Sequence, residues 1–300
     1  MRRQILGGLA AILTISVTAC NDETTKAHAK APAATSVRPT ADTLRIAAAV
    51  TPVSWLVCQV AGEPCAATTL VPPGASAHAF EPKPSLLTQL STTRLYFSSG
   101  LSFEEAWVPR FKSGLPSMEV VVLKPAQMLP SQEKGHEHSE PYDPHVWSSP
   151  RAMIPWIDSI AVALATAYPA DTARIWKNRD LVRARMLRLD TAVRQELAPF
   201  SGKRFYINHP ELGYLARDYG LEQKPLEEGG REPSLPFLFE AKETAKRQGI
   251  RAVFVEEAYG TRTAQALARA LDVPVVPLDL YASPYDSAIM RLARTLSGHL

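Results

Sequence analysis

Asp171–Leu197, DTARIWKNRDLVRARMLRLDTAVRQEL, is the longest uninterrupted helical pattern in the chain. Ile175, Val182, Met186, Leu189, Val193 and Leu197 recur at spacings of seven, four, three, four and four. That rhythm lays them along one stripe of an α-helix, with charged residues on the other faces. The helix predicted is about 40 Å long. Its apolar pattern is not a sustained heptad, which weighs against a coiled coil. A helix of this length between two strand–helix halves reads as a rigid strut joining two lobes.

On its N-terminal side, strands are predicted at 44–50, 67–71, 94–98 and 120–123. Helices fall between them, at 53–61, from about Ser85 (a plausible N-cap), and through Phe103, Trp107, Val108 and Phe111. Ser149-Pro150 caps a further helix with a buried stripe of Ile154, Ile157, Ile160 and Leu164. On the C-terminal side, strands are predicted at 204–207, 224–227, 252–256 and 273–278. Helices run through Leu212 to Gly220, from about Leu235 to Gly249, from a cap at Thr261 or Thr263, and through Tyr285, Ile289, Leu292 and Leu296. Such alternation implies parallel sheets covered on both faces. The fold class expected is α/β, with two lobes, each a mainly parallel sheet flanked by helices, joined by one long backbone helix. The boundaries are 43–168 for the N-terminal lobe, 169–198 for the linking helix and 199–300 for the C-terminal lobe.

Residues 1–19 stand apart from this fold. Arg2 and Arg3 precede a short apolar run, Ile5 to Val17, too short to span a membrane and laid out like a secretory signal. Val17-Thr18-Ala19-Cys20 looks like a bacterial lipoprotein box, with Cys20 the lipidated residue. An ordinary signal peptide cut nearby is the other reading. Residues 20–42 are rich in Ala, Thr, Pro and Lys and read as a flexible tether on the order of 25 Å across.

The remaining residues, roughly 258, suffice for two lobes. Lys and Arg total 33 against 30 Asp and Glu, and no basic patch is interleaved with aromatics, so nothing points to nucleic acid. Besides Cys20 there are only Cys58 and Cys65. In an exported protein they suit either a disulfide or two buried thiols. No zinc-ribbon spacing exists, so a metal site must use His and carboxylates.

Four positions stand out. His78 follows the second strand, His145 lies in Asp143-Pro144-His145-Val146-Trp147, His209 follows the fifth strand, and Asp279 follows the last. They are 67, 64 and 70 residues apart. Loops beyond the carboxyl ends of strands converge on one crevice in open α/β sheets. Two positions come from each half, so the meeting point expected is the cleft between the lobes. Three imidazoles and a carboxylate would close the shell of a first-row metal ion.

These residues carry a resemblance. GASAHAFEPKP at 74–84, DPHVW at 143–147, His209-Pro210 with Gly213-Tyr214-Leu215, and Asp279 after the last strand resemble, in order, the four metal-ligand motifs of the zinc/manganese substrate-binding lipoproteins of ABC importers. Glu232-Pro233-Ser234 resembles another shared stretch, and the similarity spans roughly 44–300. The resemblance implies two α/β lobes on a backbone helix, transport without catalysis, and an ABC permease of the inner membrane as partner. It also implies a monomer, exported and lipid-anchored, facing the periplasm or cell exterior. The chain departs from the family in carrying Leu280 where a Pro follows the last Asp. Its loop before His145 offers only His136 and His138, a metal-capture loop or a solvated polar turn.

Manganese members carry a carboxylate where His209 stands, so three imidazoles favour Zn²⁺ over Mn²⁺, although copper or nickel could occupy such a site in vitro. Glu81, Asp143 and Glu211 could accept hydrogen bonds from ring N–H groups or be surface or helix-start charges. Glu256 or a water is the substitute for Asp279. Phe80 and Trp147 would wall off solvent or simply pack the core. Because ligand imidazoles must be deprotonated, affinity is expected to fall below about pH 6. The rival from another class is a secreted zinc hydrolase. It would need an open coordination position and a general base, yet the chain has no HExxH and a four-ligand set leaves no open position. An adhesin or structural lipoprotein, stabilised by its metal, is a third reading.

Overall fold

Leu44–Ala48 (β1) buries four of its five residues, and only Arg45 is exposed. Burial on both faces is what a central parallel strand requires. β1 pairs in parallel with Cys65–Thr69 (β2) on one side and Leu95–Ser98 (β3) on the other, and Glu119–Val122 (β4) completes the order β2-β1-β3-β4. Thr51–Ala61 (α1), Pro84–Leu90 (α2) and Ser102–Gly114 (α3) make the crossovers. Past the sheet lies Pro150–Ala167 (α4). These elements belong to a computed structural model that describes residues 44–72, 74–78, 80–132, 142–226, 235–256, 259 and 261–300.

The second sheet repeats the plan with Arg204–Ile207 (β5), Glu222–Pro225 (β6), Val253–Glu256 (β7) and Val275–Leu278 (β8), all parallel, in the order β6-β5-β7-β8. The long helix between the halves is Thr172–Leu197 (α5), and its buried residues are the six of the predicted stripe. α5 packs on α1 and α4 of the first half and on Tyr285–His299 (α9) of the second. One apolar core therefore runs from Ile46 and Phe97 through Met186 and Val193 to Phe254 and Leu292. A smaller core lies under Leu235–Arg247 (α7) and Arg262–Leu271 (α8), around Tyr206, Val253 and Leu267.

Local details differ from the sequence reading. Ser85 is not an N-cap: α2 opens at Pro84 with Lys83 before it, because Pro fits the first helical position, where an N–H would go unbonded. Ser149 does cap α4, its hydroxyl accepting from Ala152 N–H at 3.3 Å. The fully buried face of α4 is Met153, Trp156, Ile157, Ile160 and Leu164, with Ile154 at its margin. β2 and β6 each begin two residues earlier than read. Cys58 and Cys65 are joined by a disulfide that ties α1 to β2. Among the described residues, no helix is long and apolar enough to cross a membrane.

Direct bonds also tie the halves together beside His145. Tyr285 on α9 donates its hydroxyl to the Trp147 carbonyl at 2.9 Å. The Ser149 hydroxyl donates to the Asp218 carboxylate at 2.6 Å, on the helix Gly213–Tyr219 (α6) that follows β5. The turn carrying His145 is thus held from the C-terminal side as well as its own.

Candidate metal centre

His209 stands two residues beyond β5, His78 in the loop after β2, and His145 at the start of a tight turn, Val146–Ser148, ahead of α4. One ring nitrogen from each of the three lies within 4.8 Å of the others. His78 Nε2 and His145 Nε2 are 2.9 Å apart. Ring centroids are 4.9–5.4 Å apart for the three pairs. Ligands around one tetrahedral ion with bonds near 2 Å sit ~3.3 Å apart, so the His78–His145 pair would open slightly and the wider separations close for the group to hold a metal.

The three rings differ in access. His145 and His209 are 1% and 3% exposed, whereas His78 is only partly buried. An ion would reach the group past His78. Trp147, fully buried, meets the His145 ring at 5.4 Å, edge to face. Phe80 packs on Phe103 behind the His78 loop. Just beyond β3, the buried Glu104 carboxylate accepts from the backbone N–H groups of Ser99, Gly100 and Leu101 at 2.8–3.1 Å, and the adjacent Ser102 hydroxyl donates to the His78 carbonyl at 3.5 Å.

Asp143 sets the His145 tautomer. Its Oδ1 accepts from the His145 backbone N–H at 2.9 Å and from ring Nδ1 at 2.8 Å. With the proton held on Nδ1, the Nε2 lone pair is directed toward the other two histidines. Asp143 can approach so closely because Gly213 faces it: a Cβ there would meet Asp143 Oδ2 at 2.2 Å.

Burial governs the charge states. It lowers His78 to about 3, with the His145 charge adding to the effect. It drives His209 well below its ordinary value, helped by His145 and His78. Burial thus favours the neutral, donor form of both imidazoles below the ordinary histidine range. Glu211 moves the other way: full burial, reinforced by the nearby Glu256 carboxylate, raises it to about 8.

The structure does not bring Asp279 into the group. Leu278, the last residue of β8, points inward, and alternation along the chain leaves Asp279 exposed. Its carboxylate accepts from the Tyr281 N–H at 2.9 Å, a local turn bond. The fourth ligand expected there is displaced, and with it the premise that four protein ligands from these positions fill the shell. Glu81 is exposed. Glu256 is buried, its backbone N–H and carbonyl both bonded to the Asn208 side chain. His136, His138 and Cys20 lie outside the described residues. Sequence reading passed over Tyr259 and Tyr281: Tyr259 stacks on His209, and both phenols lie beside the Glu211 carboxylate. Their positions, three residues past β7 and three past β8, were the available signal.

With this geometry in view, the family comparison is direct. Residues 46–294 match the family described as zinc-uptake complex component A, periplasmic. The chain belongs to that family. It is 29% identical over 234 residues to a putative metal-binding protein of Treponema pallidum, covering 73% of this chain and 74% of that one. It is 30% identical over 243 residues to the zinc-binding lipoprotein AdcA of Streptococcus pneumoniae, covering 76% of this chain but 47% of AdcA, so it spans about half of that relative. A crystal structure of ZnuA superposes with a TM-score of 0.77 at 29% identity, over 86% of this chain and 99% of that one. A ZnuA deletion mutant with zinc bound gives 0.78 at 29% identity, over 86% and 98%. The two-lobe α/β architecture is that of these structures.

Proposed function

We propose that this protein is the extracytoplasmic zinc-capturing component of an ABC metal importer. Zn²⁺ is its cargo, taken up between the lobes by His78, His145 and His209 and passed to an inner-membrane permease. The observation that carries this reading is the meeting of three imidazoles, from three loops and both lobes, within 4.8 Å. Imidazole nitrogen suits Zn²⁺ far better than the hard Mn²⁺. The continuous core through α5 favours small lobe movements over wide opening for release. Cys20 would carry the lipid anchor, residues 20–42 the tether, and the protein would act as a monomer that binds and delivers without catalysis.

Metal analysis of the purified protein after competition between equal Zn²⁺ and Mn²⁺ tests this reading. One zinc per chain with little manganese is expected. A strain deleted for the protein should grow poorly under zinc limitation and recover with added zinc. Preferential manganese uptake, or unimpaired growth of that strain, would refute it.

A further inference from the structure

Glu211 is the most deeply buried carboxylate beside the histidines, at 0% exposure, with Oε1 4.0 Å from His209 Nε2. A tight turn puts it there. Glu211 N–H donates to the His209 carbonyl at 2.9 Å across Pro210, bringing both side chains to one side. Leu212 N–H is then fixed by Gln223 Oε1 at 2.6 Å. Neither Glu211 oxygen makes a hydrogen bond of ordinary geometry among the described residues, although the Tyr259 and Tyr281 hydroxyls lie nearby. His145, Glu256, Tyr259 and Asp143 lie around it. Such a carboxylate is costly to bury unless something compensates it.

We propose that Glu211 is the fourth ligand of the bound ion, taking the position that Asp279 leaves vacant in the expected shell. This rests on the three-histidine zinc reading and deepens it. Three neutral imidazoles leave the full divalent charge inside a low-dielectric pocket, and one carboxylate halves it. Glu211 Oε1 stands about 0.7 Å beyond the ~3.3 Å of a tetrahedral shell from His209 and outside the 4.8 Å group of the three imidazoles, so its side chain would swing inward to close on the ion. The Tyr259 and Tyr281 hydroxyls stand where they can donate to the second carboxylate oxygen, the outer support that ligating carboxylates ordinarily have.

The test uses the whole chain and its Glu211→Gln and Glu211→Ala variants, with zinc affinity read by chelator competition and coordination read from the visible spectrum of the Co²⁺-loaded protein. Both variants should lose about 10- to 100-fold or more in zinc affinity, since even an outer partner of a metal site is worth that much. Azide should leave the wild-type Co²⁺ spectrum unchanged, for want of an open position. It should shift the Glu211→Ala spectrum, and acetate should do the same. Wild-type affinity in both variants, or an azide-shifted wild-type spectrum, would overturn the proposal. In either case loss of binding in His145→Ala would leave the three-histidine reading standing. A wild-type chain that takes up no metal would end both. Glu211→Gln preserves side-chain volume, and thermal melts of the metal-free variants separate lost ligation from lost folding.

Discussion

The Tyr259 ring lies flat on the His209 ring, with centroids 3.9 Å apart and planes within 10° of parallel. Tyr259 thus bears on the orientation of the His209 imidazole, as Asp143 bears on that of His145. An aromatic pair of this kind contributes about 0.5–1.5 kcal/mol beyond its burial, or roughly 2- to 10-fold in affinity if it forms fully only around the ion. Tyr259→Leu should weaken zinc binding by that factor and speed zinc release, whereas Tyr259→Phe should retain most of the stack. Stopped-flow release into a chelator compares the two directly. Equal rates for Leu and Phe would deny the stack any role.

The close approach of Gly213 to Asp143 gives a sharper expectation. A methyl group at residue 213 would collide with Asp143 Oδ2 at 2.2 Å, pushing the carboxylate off His145 Nδ1. Gly213→Ala should therefore cost about 10- to 100-fold in zinc affinity, the usual scale for losing an outer-shell partner. Titration against a chelator, alongside Asp143→Asn, would show whether the two substitutions have similar effects.

The metal-free protein should show opposed pH dependences. His78, lowered to about 3 by burial, binds a proton in the unfolded chain from near pH 6.5 but not in the folded one. Its contribution to stability is complete above about pH 6.5 and drains away as pH falls toward 3; His209 acts in the same direction. Glu211, raised from 4.5 to about 8, has the reverse sign. Its contribution is complete below its unfolded value and is lost as pH climbs to about 8. Tm should thus decline on both the acid and the mildly alkaline side. Glu211→Gln should remove the decline between about pH 5 and 8 and keep the acid one. Calorimetry across pH 3–9 on wild type and variant checks both limbs.

Much of this architecture was legible from side-chain rhythm. The α5 stripe from Ile175 to Leu197 and the strand at Arg204–Ile207 follow from periodicity, because one face of each must be buried. His78, His145 and His209 could be placed together because each lies beyond the carboxyl end of a strand or beside Pro and Trp markers. Asp279 could not be placed correctly: whether a residue just past a strand turns in or out depends on one step of alternation and on a local turn bond to Tyr281. Glu211 could be named but not ranked, since its depth depends on the His209–Glu211 turn and on Gln223, a long-range partner. Tyr259 escaped notice because a tyrosine in a loop carries no pattern of its own. Cys58–Cys65 pairing needed the α1–β2 geometry, which spacing alone leaves open.

The strut carries an energetic prediction of its own. Met186 is fully buried in the core that α5 shares with α1, α4 and α9. Met186→Ala should destabilise the protein by about 2–5 kcal/mol through lost burial and the cavity left behind. Since that core spans both halves, urea unfolding should remain a single transition. Two separated transitions would show that the lobes fold independently.

X-ray absorption at the zinc edge of the loaded protein is the most direct check on the central claim, that imidazoles from both lobes close on one ion. It should show one zinc per chain with three imidazole nitrogens at about 2.0–2.1 Å and one oxygen at a similar distance. A shell with one imidazole or none, or a protein that emerges from zinc dialysis empty, would contradict it.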